Sequence, residues 1–265
     1  MSYETIILEK EEGVATITFN RPERLNAFNS QMIDEFMDVL KDCGSDEGVR
    51  VVVITGAGQA FCSGADVEWF SELIEQRRGG IEVAEIMPSM FEDLPLILGG
   101  MVKPTIAAIN GDAVGLGFTT ALACDVRIAS DSARMGAIFV RMGVIPECGS
   151  TYLLPRVVGI AKALELVLTA RMVDANEAKE IGLVNQVVVA DDLKSATMRM
   201  AGRIAGWPPV AVQIAKRGLY QGLATDLHTQ VQFESFGLGI CYRTEDHAEA
   251  VKAFLEKRPA TFHGR

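Results

Sequence analysis

Histidine is almost missing from this chain. There are three in 265 residues, His228, His247 and His263, and none precedes residue 228. A histidine-based triad therefore lacks an obvious base in most of the sequence. Basic residues are outnumbered: 25 Lys and Arg stand against 35 Asp and Glu, a net charge of −10. That balance argues against nucleic acid or an anionic membrane as a partner, since both are bound by basic patches. The five cysteines, Cys43, Cys62, Cys124, Cys148 and Cys241, are odd in number, widely spaced and never in a CxxC pair. Neither a zinc site nor a disulfide framework is suggested, and a reducing, cytoplasmic setting is expected. No apolar run approaches the roughly 18 residues of a spanning helix. The first residues, Met1-Ser2-Tyr3-Glu4-Thr5, have no basic then apolar leader pattern, and the last, Phe262-His263-Gly264-Arg265, form no peroxisomal signal.

What the chain has is apolar residues (49%) and glycine (25 residues), enough for a sizeable core with many tight turns. Residues 3–10 and 14–20 read as strands around the hairpin signal Glu11-Glu12-Gly13. Asn29-Ser30 opens an amphipathic stretch in which Met32, Phe36, Val39, Leu40 and Cys43 recur at helical spacing. Val51–Thr55, Pro104–Ile109 and Val126–Ala129 read as buried parallel strands. Residues 66–76 and 81–99 read as helices, the second divided by Pro88 and Pro95. Strands alternating with helices imply βαβ units and a layered α/β core. Beyond residue 150 the pattern is helical over 149–157, Ala161–Thr169, Ala175–Ile181, Asp192–Ala205, Val210–Leu223 and Glu245–Leu255, with Leu183–Val189 as the only strand. Gly206-Trp207-Pro208-Pro209 is the clearest break. The organisation expected is an α/β core over 1–195 and a helical region over 196–265.

Two glycine turns carry the chemistry. Cys62-Ser63-Gly64-Ala65-Asp66-Val67 and Gly111-Asp112-Ala113-Val114-Gly115-Leu116-Gly117 each follow an apolar β-branched run and open a helix. Free N–H groups at such turns bind developing negative charge, and two turns aimed at one point make an oxyanion hole. Glu147, in Val144-Ile145-Pro146-Glu147-Cys148-Gly149, is a candidate base beside it, or else an acid serving the dipole of helix 149–157. Asp66 suits an N-cap more than catalysis. Trp69, Phe70 and Phe139 suit a pocket wall and plain core packing equally. Cys62 and Cys148 suit packing more than nucleophilic roles.

These turns and their flanks resemble the crotonase (enoyl-CoA hydratase/isomerase) superfamily. The matching pieces are Asn20-Arg21-Pro22-Glu23-Arg24-Leu25-Asn26-Ala27-Phe28, Ile54 through Val67, and Ala108 through Asp125. Pro155-Arg156-Val157-Val158-Gly159, Ala178–Val184 and Ala253–Arg258 continue the match in family order. The resemblance implies two roughly perpendicular sheets flanked by helices, with a helical C-terminal trimerisation region. It implies an acyl-CoA thioester as substrate, no cofactor beyond that CoA, and a homotrimer or dimer of trimers. The oxyanion donors would be the N–H groups of Ala65 and Leu116. The CoA would lie against Arg24, Leu25, Ser63, Ala65, Asp66 and Val67. Lys257 matches a lysine that contacts CoA phosphates, and equally fits an ordinary helix C-terminus.

The chain departs from the hydratase pattern at both catalytic glutamates, where Thr119 and Phe139 stand. Glu147 occupies a place where hydratases carry glycine. Pro146-Glu147-Cys148-Gly149-Ser150-Thr151 is similar instead to the peroxisomal-type 3-enoyl-CoA to 2-enoyl-CoA isomerases, and ring-modifying members place an aspartate there. The expected reaction is thus an allylic proton shift with Glu147 as sole acid–base. The alternatives are a hydratase with altered acids, a ring-modifying isomerase and a non-catalytic CoA-binding homologue.

Overall fold

The computed structural model describes residues 3–79 and 90–265. Ten strands form two sheets among these residues. The larger runs in the order β1 (Ile6–Glu11), β2 (Val14–Phe19), β3 (Val51–Gly56), β5 (Thr105–Ile109), β7 (Val126–Ser130), β10 (Gln186–Val188). The smaller runs β4 (Ala60–Cys62), β6 (Asp112–Val114), β8 (Arg134–Gly136), β9 (Val173–Asp174). In the larger sheet only β1 and β2 are antiparallel. Their hairpin turns through Glu12 and Gly13, both with positive φ (48° and 80°), the backbone that matches strand twist in a two-residue turn.

The central parallel strands β3 and β5 are buried on both faces, which is why they read as largely apolar runs. From β3, Val52 and Ile54 face one core and Val51 and Val53 the other. The first core gathers Phe19, Phe28, Phe36 and Phe61, with Phe19 edge-on to the other three at 5.0–5.6 Å between ring centres. The second lies under helix Leu193–Ala205, whose Leu193, Ala201 and Ala205 pack on Val14, Val53, Ile106 and Ile128. That helix straddles the expected division at residue 195. Helices Pro209–Gly222, Leu227–Cys241 and Glu245–Glu256 complete the C-terminal region.

Some local expectations differ from the structure. Pro95 does not divide its helix: Met90–Gly100 runs through it, giving up one backbone bond while its ring packs against Gly149. The part of that stretch over 81–89, with Pro88, lies outside the described residues. Leu183–Val189 narrows to β10 and is joined after residue 150 by β9. Helix Leu227–Cys241 had no sequence stripe to announce it, because its apolar residues lie all round and Gly237 and Gly239 interrupt them. It is held by the Asp226 cap on the Thr229 N–H (3.0 Å) and by close approach of Gly218 to Phe233 and of Gly237 to Ile214. No helix among the described residues is long and apolar enough to cross a membrane.

Candidate active site

The two glycine turns meet. Gly64 has φ +106°, and a Cβ built on it would lie 3.1 Å from the Val114 oxygen and 3.7 Å from the Leu116 nitrogen. Only glycine allows both that backbone and that approach. Gly117 is tighter still, with its Cβ position 2.3 Å from the Cys62 oxygen, so the second helix starts directly on β4.

Each turn opens a helix, Val67–Arg78 after the first and Leu116–Ala123 after the second. The residues 25–28 lie beside the first turn like a short strand. Ser63 donates its N–H to Leu25 (3.0 Å), Phe28 to Gly64 (2.8 Å) and Asp66 to Phe28 (2.8 Å). Successive amides in extended backbone point to opposite sides. With Asp66 turned toward Phe28, the Ala65 N–H is turned away from it. Leu116 is the first residue of its helix, where an N–H has no intrahelical acceptor. Among the described residues neither the Ala65 nor the Leu116 N–H has a hydrogen-bond acceptor.

Glu147 lies in the loop before helix Ser150–Val158, whose N-cap is Gly149 and whose first turn holds no acid. Cys148 and Gly149 both have positive φ (48° and 72°), a sharp bend that presents the residue before them. The Cys148 thiol lies against the Thr119 hydroxyl, and Gly149 packs on Pro95. The two residues after Glu147 thus anchor its loop to the first turn of the Leu116–Ala123 helix and to helix Met90–Gly100. The Glu147 carboxylate has no hydrogen-bond or ionic partner among the described residues. Burial alone pushes its pKa up to about 7. Glu147 lies two residues before the N-cap Gly149, and no side chain caps that helix, so the dipole role has no support in this geometry.

Thr119 and Phe139, the positions of the hydratase glutamates, are both buried. Thr119 Oγ1 donates to the Leu116 carbonyl (3.0 Å), and Phe139 Cε1 sits 4.0 Å from the Gly115 Cβ position. Both side chains thus border the second turn, one polar but without an acid, the other apolar. Trp69 and Phe91 stack at 6.1 Å and 12°, joining the helix that follows Ala65 to the one that carries Pro95. Trp69 also stacks on Phe70 at 5.7 Å. Cys62 is fully buried and its thiol is held up at about 12, so it remains a neutral packing group at physiological pH.

Of the other sequence candidates, Leu25 and Ser63 line a cavity of about 480 Å³ with Val114 and Arg134. Leu25 is exposed, and Val67 is 67% exposed at the helix start. Arg24 is exposed and pairs with Glu68 (3.2 Å). Asp66 caps its helix by accepting from the Glu68 N–H (3.1 Å). Lys257 ends helix Glu245–Glu256 in a left-handed conformation. The segment beyond it is bound at Phe262 by Arg50, at the start of β3, whereas the turns lie past the ends of β3 and β5. Sequence reading missed Arg21. Its two NH groups each lie 3.1 Å from Asp66 Oδ2, in a pair almost sealed from solvent. No spacing rule reveals a pair separated by 45 residues.

Two amides without acceptors among the described residues thus sit on turns that touch, and an acid with a raised pKa lies in a loop that contacts the helix after the second turn. The family described as Enoyl-CoA hydratase/isomerase matches residues 9–265. A short-chain-enoyl-CoA hydratase of Clostridium acetobutylicum is 41% identical, over 97% of both chains. The 1,2-epoxyphenylacetyl-CoA isomerase of Escherichia coli is 35% identical over 99% of both. The crystal structure of an enoyl-CoA hydratase from Bacillus anthracis superposes with a TM-score of 0.91 at 34% identity, covering 99% of this chain and 100% of that one. The fold is that of the crotonase superfamily, with two sheets, flanking helices and a helical C-terminal region. The nearer likeness expected, to 3-enoyl-CoA isomerases, is not reflected in these names, two of which are hydratases.

Proposed function

Because the chain belongs to the enoyl-CoA hydratase/isomerase family, we propose that it binds an acyl-CoA thioester and moves a proton along the acyl chain with Glu147 as its single acid–base. The observation that carries this reading is the Glu147 carboxyl, without a hydrogen-bond or ionic partner among the described residues and pushed up to about 7 by burial. A base poised near the working pH gives the best compromise between ionised fraction and proton affinity. Glu147 takes the proton from C2 of a 3-enoyl thioester. The C–H electron pair moves into the thioester, whose oxygen gains nearly a full charge. The Ala65 and Leu116 N–H groups receive that oxygen, each such donor being worth about 3–4 kcal/mol. Glu147 then returns the proton to C4, and the double bond lies at C2. Arg24, Leu25, Ser63, Asp66 and Val67 hold the CoA.

Hydration of a 2-enoyl thioester is the second reading, favoured by the hydratase name of the Clostridium relative. It would require Glu147 alone to activate water, since Thr119 and Phe139 supply no acid. The Escherichia coli relative's name favours a third, rearrangement of a ring-bearing acyl group. Ultraviolet absorbance of the conjugated 2-enoyl thioester separates the first two. Its gain from 3-enoyl-CoA, lost in Glu147→Gln, supports isomerisation. Its fast loss from 2-enoyl-CoA, surviving Glu147→Gln, refutes both the residue and the reaction. Binding with neither signal from linear substrates leaves the ring-bearing and non-catalytic readings.

We also propose a homotrimer or dimer of trimers. The last three helices expose Leu219, Leu227, Phe236, Phe254 and Leu255, more apolar surface than a monomer normally leaves to water. A stable monomer of 28.7 kDa in sedimentation would exclude it.

A further inference from the structure

We propose that the loop taking the CoA nucleotide and the turn carrying the Ala65 donor move as one piece, and that Arg21 is the positioning residue that couples them. This rests on the acyl-CoA reading above. The loop is stiff in itself. Leu25 and Asn26 both have positive φ (50° and 56°), unusual for residues with side chains. The buried Asn26 amide holds that shape: its oxygen accepts from the Arg21 N–H (2.9 Å), and its nitrogen donates to the carbonyls of Ala57 (2.9 Å) and Ala60 (2.8 Å). Three backbone bonds then tie Leu25 and Phe28 to Ser63, Gly64 and Asp66. Arg21 closes the structure from the side. One guanidinium donates to the Ala27 carbonyl in the loop and to the Asp66 carboxylate in the turn. Asp66 uses its other oxygen to cap the helix that starts beside Ala65. On the outer edge Arg24 reaches the next residue of that helix but one, Glu68.

The consequence is chemical. Binding free energy from parts of a substrate that do not react raises kcat when it is used to hold the reacting groups in place. The nucleotide binds at Arg24 and Leu25, and a rigid ribbon leads from there to Ala65. An oxyanion donor is effective only within about 0.4 Å of range, 2.7–3.1 Å. Fixing the loop would fix the donor. A full CoA thioester should then turn over faster than a truncated one with the same acyl group, and Arg21 should be needed for the difference.

The experiment compares kcat for an acyl-CoA and for the same acyl group on N-acetylcysteamine, in wild type, Arg21→Met and Arg21→Gln. Gln keeps a polar side chain but loses the charge and the two-armed contact with Asp66. In wild type the CoA thioester is expected to be faster by about 10-fold or more in kcat. In either variant the ratio should fall to within about 2-fold, chiefly through the CoA thioester, as expected when remote binding no longer aligns the site. Arg21 acting only on folding would lower both kcat values by one common factor and leave the ratio unchanged. An unchanged ratio, or a wild-type ratio of one, overturns the coupling. Should Arg21→Met not fold, Arg21→Gln carries the same readout. Failure of the wild type to bind or turn over any acyl-CoA removes the functional reading itself, which is a different result from turnover with an unaltered ratio.

Discussion

Phe28 and Ala65 pair as an isolated parallel bridge, away from either sheet. The bridge occupies the Gly64 carbonyl and the Asp66 N–H, and so leaves the amide between them facing the other way. Among the described residues the Ala65 N–H has no acceptor, because the groups on either side of it are the ones turned to Phe28. The Leu116 N–H likewise has none there, because a helix begins at that residue.

That second donor can be removed with little damage to the helix. Proline is tolerated at the first helical position, where the N–H has no partner. Leu116→Pro is expected to fold and to bind the thioester, with kcat lowered by roughly 100- to 1,000-fold, the usual effect of losing one oxyanion donor. Circular dichroism and steady-state kinetics on the same preparation test this. A folded variant with unchanged kcat removes Leu116 from the site.

The pH profile should report Glu147. With a pKa near 7, the free enzyme loses its base as pH falls through neutrality. kcat/KM is expected to rise with unit slope up to about pH 7 and then to level. Glu147→Gln should lower kcat by about 100- to 10,000-fold and abolish that inflection. A profile flat from pH 5 to 8, at full wild-type activity, contradicts the assignment.

Stability should move in the opposite direction to activity. Unfolded, Glu147 titrates near its ordinary 4.5; folded, near 7. Below the first value both states carry the proton and the site is neutral. As pH rises through the second, the folded chain must hold a buried charge, so stability falls between them. At about 1.4 kcal/mol per pH unit the loss is at most about 3.5 kcal/mol. Glu147→Gln is therefore expected to be more stable than wild type at pH 8 and no more stable at pH 4. Denaturant unfolding at the two pH values tests the sign.

The Phe91–Trp69 stack should limit the acyl group. It bridges the helix leaving Ala65 and the helix that supports the Glu147 loop at Pro95. Phe91→Ala removes a half-buried ring, and large-to-small changes of this kind cost about 3 kcal/mol or more when fully buried. The variant is expected to be less stable by less than that, and to gain kcat/KM for long acyl chains relative to four-carbon ones. An unchanged chain-length profile places the stack outside the acyl pocket.

Much of the site was legible as local sequence. Gly64, Gly115 and Gly117 stand where a strand must turn into a helix, and a turn of that kind is written within six or seven neighbouring residues. The Asp66 cap and the Glu12-Gly13 hairpin are local in the same sense. So are the central parallel strands β3 and β5, whose burial on both faces leaves a largely apolar run. The very short strands were not legible. Three residues at Ala60–Cys62 or two at Val173–Asp174 have no periodicity of their own, and they are strands only because a partner lies beside them.

The glutamate shows where the division falls. Its position after Pro146 is a property of the sequence, and so is the absence of acids at Thr119 and Phe139. Its affinity for a proton is not, because that depends on which apolar groups close around it. The same holds for Arg21, whose partner is 45 residues away. Local sequence determined which turns and helices could form and which residue types they would carry. Only the tertiary structure decided which amides were left without acceptors among the described residues and which carboxylate became partly buried, since both depend on neighbours brought from distant parts of the chain.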